Sequence, residues 1–139
     1  MRVVLDTNVL IAAIRSPQGA SFAILDQVGR GVFEHALSVP LTLEYEEQLV
    51  DHAHQLGIPV EAVLEIHRFV VVTAIPVDIR FRYRPFLSDQ DDDMLVELAL
   101  ACSADCIVTH NLRDLRKAMT IGVSVVTPSA FLRTIRGRS

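Results

Sequence analysis

Short β-branched runs alternating with helical patterns constrain this chain more than any other feature. Residues 2 to 5 (Arg-Val-Val-Leu) form an apolar run that stops at Asp6, and Asn8 can cap a helix reaching about residue 14. The turn signals Ser16-Pro17-Gln18-Gly19 precede a second helix marked by Phe22, Ile24, Leu25 and Val28 and closed by Gly29 and Gly31. Ala36 to Val39 reads as a second strand, and Pro40 opens a helix that Gly57-Ile58-Pro59 breaks. Glu61 to Phe69 is helical by the spacing of Val63, Leu64, Ile66 and Phe69, while the β-branched stretch Val70 to Val77 predicts a third strand. Asp91 to Ser103 is a helix, Cys106 to Val108 a fourth strand, Val123 to Val126 a fifth, and Pro128 begins a terminal helix. Val/Ile strands alternating with helices mean a parallel sheet covered on both faces, so the expected fold is a three-layer α/β/α sandwich with about five central strands.

The 139 residues suffice for one domain, 1–139, without internal repeat or linker. Half of them are hydrophobic and 22% charged, which excludes disorder. The apolar run Phe69 to Val77 falls far short of the roughly 20 residues that span a bilayer, and no signal peptide is visible, so a cytoplasmic location is expected. Cys102 and Cys106 make neither a disulfide framework nor a zinc site and are expected to be buried.

A net charge of −4 hides an uneven distribution. Residues 1 to 69 hold 4 basic and 9 acidic side chains, and residues 70 to 139 hold 9 basic and 8 acidic. Two basic groups, Arg80, Arg82, Arg84 and then Arg113, Arg116, Lys117, Arg133, Arg136, Arg138, are each suited to phosphate. The acids matter more. In a parallel sheet, ligands sit at the carboxyl ends of strands near the point where strand order reverses. Asp6 ends the first strand, Glu44 lies in the helix after the second, Asp91-Asp92-Asp93 opens the helix before the fourth, and Asn111 with Asp114 follows the fourth. Carboxylates drawn together there repel unless protonated or joined by a hard cation with oxygen ligands. The natural guest is Mg²⁺ or Mn²⁺, which serves phosphodiester hydrolysis, and the lack of accompanying His or Cys argues against zinc.

At these residues the chain resembles the PIN domain family, metal-dependent ribonucleases that include toxins of many toxin–antitoxin pairs. The resemblance rests on Val-Val-Leu-Asp-Thr-Asn-Val-Leu at 3 to 10, on Glu44-Tyr45, and on Asp89-Gln90-Asp91-Asp92-Asp93 followed by Leu-Ala-Leu-Ala at 98 to 101. It continues in Ile107-Val108-Thr109-His110-Asn111-Leu112-Arg113-Asp114-Leu115 and in Val126 to Leu132. It implies Asp6, Glu44 and Asp92 as metal-site acids, with Asp91 or Asp93 as substitutes for the third. Asp92 stands seven residues before Ala99, as in the family pattern. Asn111 replaces an Asp found in many members, which bears on a second metal site, and Asp114 is a candidate to supply the missing charge. Thr7, Asn8, Thr109, His110 and Arg113 flank these motifs as substrate-contact candidates. The implied partners are RNA, a small antitoxin and a second copy of the chain, as a homodimer or higher homo-oligomer.

Structural roles compete with each assignment. Asp6 can be a turn acid, Asn8 a plain cap, and Glu44 and Asp91 to Asp93 charges that complement a helix dipole. Asn111 and Asp114 are equally a capping pair. His52 and His54 stand two apart on a helix and are expected at the solvated surface, and a lone His such as His110 is more often structural or exposed than substrate-facing. Arg80-Phe81-Arg82-Tyr83-Arg84 either clamps single-stranded RNA or forms an edge contact.

The combined reading is a divalent-metal-dependent endoribonuclease whose catalytic set is Asp6, Glu44, Asp92 and Asn111, with Asp91 and Asp114 as further metal candidates. A catalytically weakened RNA-binding or scaffold domain is the alternative. An aspartyl phosphotransferase would carry a second Asp where Asn8 stands and a strand-end Lys, whereas the single Lys of the chain is Lys117, in a helix.

Overall fold

The computed structural model describes residues 1–79 and 90–137, with the backbone alone for 90–92. The basic-aromatic segment Arg80 to Arg84 and the side chains of Asp91 and Asp92 lie outside the described residues.

Five strands form one parallel sheet in the order β3-β2-β1-β4-β5. They are β1 (Arg2–Leu5), β2 (Glu34–Leu37), β3 (Ile75–Pro76), β4 (Cys106–Val108) and β5 (Val125–Val126). The helices between and after them are α1 (Thr7–Arg15), α2 (Ala20–Asp26), α3 (Val39–Leu56), α4 (Val60–Thr73), α5 (Gln90–Ala101), α6 (Leu112–Leu115) and α7 (Pro128–Arg136). A 3-10 segment, Arg116–Ile121, continues from α6. The architecture is the expected α/β sandwich.

Strand β1 is central, and from it the order runs outward to β2 and β3 on one side and to β4 and β5 on the other. The switch point therefore lies between β1 and β4, whose register pairs Leu5 with Val108. The residues following that pair, Asp6 and Thr109, emerge side by side at the carboxyl edge. The Asp6 amide donates to the Val108 carbonyl at 2.9 Å, and the Thr109 amide to the Val126 carbonyl at 2.9 Å, so the ladder extends to the rim. Behind them Val3, Val4, Leu5, Ile107 and Val108 are buried from both sides, the price a central parallel strand sets on its sequence.

Local sequence explains the helix ends nearest the rim. Ser38 caps α3, its hydroxyl accepting the Leu41 amide at 3.3 Å, with Pro40 in the first turn, and Gly57 ends the helix at φ +69°, a conformation that glycine adopts without strain. Asp6 occupies the cap position of α1 without an assigned side-chain cap bond.

Two expectations are corrected. Residues 70–73 belong to α4, which continues to Thr73, and β3 is only Ile75–Pro76. Val70 extends the buried face begun by Val63, so burial on a helical period overrides β-branched propensity. Asn8 does not cap α1; it stands inside the helix, with its side chain turned to β4.

Both cysteines are free and buried, as expected. Burial, aided by the neighbouring Asp105 charge, pushes the Cys106 thiol up to about 11, which keeps it unreactive. No helix among the described residues is long and apolar enough to cross a membrane.

Candidate active site

An open cleft of about 550 Å³ lies at the switch point. Asp6, Thr7 and Asn8 from the start of α1 line it, together with Glu44 from α3, Met94 and Leu95 from α5, and His110 from the loop after β4.

Asp6 is the best-defined group. Its Oδ2 accepts the Thr109 hydroxyl at 2.7 Å. Burial pushes its carboxyl above the ordinary value, and the Thr109 hydroxyl, the Thr7 and Asn8 amides and the nearby His110 draw it only partly back. A half-desolvated carboxylate of this kind gains from a cation. Below it, Tyr45 is fully buried and its hydroxyl donates to the Leu5 carbonyl, the last peptide before Asp6. Burial, with Asp6 adding to it, raises that phenol well above its ordinary value, so Tyr45 acts as a neutral prop.

Thr109 is the hub of the β4 side and is itself fully buried beneath the cleft. Its oxygen also accepts the Asn8 amide group at 3.3 Å and the Asn111 backbone amide at 2.9 Å. The Asn8 side-chain oxygen in turn accepts the His110 backbone amide at 3.2 Å. One hydroxyl thus ties α1 to the loop after β4. His110 is exposed at the cleft wall, and its Nε2 lies 2.8 Å from the buried hydroxyl of Ser21 on α2.

Other candidates sit further out. Asn111, Arg113 and Asp114 are exposed and are not among the residues lining the cleft. The Asn111 side chain occupies the cap position of α6 without a cap bond and donates to Asp114 Oδ2 at 2.6 Å. The pair is therefore tied to itself rather than to helix-end amides. Asp91 and Asp92 fall in the first turn of α5, two to four residues before the cleft-lining Met94 and Leu95. Asp93 is buried, as is Glu97 one turn later.

Several features escaped sequence reasoning. Glu97 is an acid inside the apolar run Met94 to Ala99, and that interruption was the available signal. Ser21 carried none. His52, expected at the solvated surface, is half-buried and lines the cleft with Arg15 and Gln48, whereas His54 is exposed.

Among the described residues no group of three or more His, Cys, Asp or Glu is placed to hold a metal ion, so an ion here would rest on two carboxylates. Asp6 and Glu44 are the carboxylates lining the cleft among the described residues, and Mg²⁺ binds through one or two carboxylates while keeping water and taking substrate phosphate oxygens.

Comparison with solved structures places the fold. VapBC2 from Rickettsia felis, determined with a DNA fragment from their promoter, has a chain that superposes with a TM-score of 0.64 at 15% identity, covering 91% of this chain and 98% of that one. VapBC-1 from nontypeable Haemophilus influenzae gives 0.60 at 14% identity over 93% and 99%. FitAcB from Neisseria gonorrhoeae gives 0.56 at 18% identity over 91% and 98%. No curated protein matches the sequence. Residues 2–113, from the first strand through the Asp6–Thr109 junction to the start of α6, match the PIN domain family, and the chain belongs to that family.

Proposed function

We propose that the cleft is the active site of a divalent-metal-dependent endoribonuclease, acting as the toxin of a toxin–antitoxin pair. The observation that carries this reading is the desolvated Asp6 carboxylate, fixed at the switch point by Thr109 and sharing an open cleft with Glu44.

Asp6 and Glu44 would hold Mg²⁺ or Mn²⁺, joined by Asp92 from the first turn of α5. When bound, such an ion polarises a phosphoryl oxygen and lowers the pKa of water. The chain's own contribution is positional. Thr109 orients the Asp6 carboxylate, Tyr45 fixes the peptide before it, and Met94 and Leu95 give an apolar wall that limits water beside the acids. Thr7, Asn8 and His110 border the space a phosphodiester would fill.

Similarity to chains of VapBC and FitAcB supports a protein antitoxin as partner, and a homodimer as the working state is part of the same proposal. A cytoplasmic site of action is part of it too.

One observation favours a second reading, an RNA-binding scaffold with weakened catalysis. The fourth acidic position is Asn111, and its amide is occupied by Asp114 outside the cleft. A single experiment separates the two. Purified protein is incubated with single-stranded RNA in Mn²⁺, with and without chelator, beside Asp6→Asn and Glu44→Gln. Cleavage that chelation and either substitution abolish is expected. RNA binding without cleavage under every condition would support the scaffold.

A further inference from the structure

The cleft does not end at the acids. It continues between α1 and α3 past Ile11 and Ala12 to Arg15, Gln48 and His52. Each helix leaves the carboxyl end of a parallel strand, so the two run the same way from the rim. Arg15 stands eight residues beyond Thr7, and His52 eight beyond Glu44. At 1.5 Å per residue, each lies about 12 Å further along the groove. Gln48, one turn before His52, shares its face.

The chemistry at this far end differs from that at the rim. Arg15 is exposed in the last turn of α1 and has no ion pair among the described residues. His52 is half-buried, and its Nδ1–H donates to the Gln48 carbonyl at 2.9 Å. A carbonyl can only accept, so that bond fixes the tautomer and leaves Nε2 as an acceptor in the neutral ring. Nε2 has no partner among the described residues. A guanidinium that donates to phosphate oxygens therefore shares a groove with a ring nitrogen that accepts from a hydroxyl. In a polynucleotide, a ribose 2′-hydroxyl provides that donor and deoxyribose does not.

We propose that Arg15, Gln48 and His52 form a ribonucleotide subsite, in which Arg15 holds a backbone phosphate displaced along the strand from the scissile one and His52 Nε2 accepts the ribose 2′-hydroxyl. The inference rests on the nuclease reading for its substrate class. It assigns to these residues the choice of RNA over DNA, which the carboxylates alone do not make. Gln48, which lines the same groove, carries both a donor and an acceptor.

The test is equilibrium binding of fluorescently labelled single-stranded RNA and DNA of one sequence in chelator at about pH 8, where binding is read without cleavage. His52→Phe, which keeps ring bulk and removes the acceptor, is expected to weaken RNA binding roughly fivefold and leave DNA binding unchanged. Arg15→Gln is expected to weaken both and to lower the slope of log affinity against log salt by about 0.7, the loss of one single-strand phosphate contact. Equal effects of His52→Phe on RNA and DNA, or an unchanged salt slope in Arg15→Gln, would overturn the subsite. So would a wild-type chain that binds neither strand. Cleavage of RNA by wild type with both variants binding normally defeats the subsite and keeps the nuclease. The expected binding changes in a chain that cleaves nothing keep the subsite and defeat hydrolysis.

Discussion

The Thr109 hydroxyl donates to the Asp6 carboxylate at 2.7 Å across 103 residues of sequence. The two residues end neighbouring strands at the switch point, so this contact joins the halves of the sheet at the place where the chemistry is proposed to occur. Replacing Thr109 by Val removes the donor to Asp6 and the acceptor for Asn8 and the Asn111 amide. Leaving such groups without partners costs about 1–3 kcal/mol, so the urea midpoint of Thr109→Val should fall accordingly. An unchanged midpoint would show that water replaces the hydroxyl at no cost.

Asp6→Asn keeps an oxygen that accepts from Thr109 and removes the charge. Because the folded carboxyl titrates above its unfolded value, folding favours the protonated form. Its contribution is fully present below the unfolded value of 3.8 and is lost as pH rises through the raised folded value. Without divalent ions, Asp6→Asn should therefore melt above wild type at neutral pH, with the gap closing on acidification, while RNA cleavage is lost. Calorimetry at both pH values, with cleavage assayed on the same preparations, decides it.

Tyr45→Phe leaves the Leu5 carbonyl without the phenolic donor in a fully buried place. A loss of about 1–3 kcal/mol is expected in denaturant unfolding. If Tyr45 also positions Asp6, cleavage should fall beyond what the unfolded fraction explains. A proportionate fall would limit Tyr45 to stability.

Asn111→Asp would set a second carboxylate 2.6 Å from Asp114, where an amide now donates. Like charges at that distance repel, so the variant should be less stable in chelator and should recover in Mn²⁺ if the pair can take up an ion. Melting curves with and without Mn²⁺ read the difference. An equal deficit in both conditions would exclude ion binding by the pair.

His35 is buried on β2, its Nε2–H donating to the Val70 carbonyl at 2.8 Å, and burial lowers its pKa despite that bond. The neutral ring is the folded form. Stability linked to His35 is full above the unfolded value of 6.5 and declines as pH falls from there toward the lowered folded value. His35→Gln retains a donor without titrating. The advantage of wild type over it should therefore shrink between about pH 7.5 and pH 5.5; a constant difference would remove His35 from the acid response.

Much of this was legible in the amino-acid order because burial and polarity alternate sharply. A run such as Val3-Val4-Leu5 followed at once by Asp6 has few uses besides a central strand reaching a polar edge. Glu44 was visible for the same reason, on a helix that Pro40 opens, although Ser38 and Val39, expected at the end of the second strand, are its cap and its first residue. Residues 70–73 misled because β-branched residues suit both states, although Val63, Ile66 and Val70 already continued a helical period. His52, Arg15 and Ser21 were illegible for a deeper reason. Their surroundings come from other elements, and no local pattern records that α1 and α3 flank one groove.

The central place of β1 also sets an order of events during synthesis. Its partner β4 and the Thr109 hydroxyl are made about a hundred residues later. At roughly 5–20 residues per second, some 5–20 s separate the two on a translating ribosome. Through that interval Asp6 has neither its supporting hydroxyl nor the strand that holds it at the rim. A growing chain therefore carries the first acid long before it can use it, and a fragment ending ahead of Cys106 has no switch point. The messenger that encodes the cleft is mostly translated before the cleft exists.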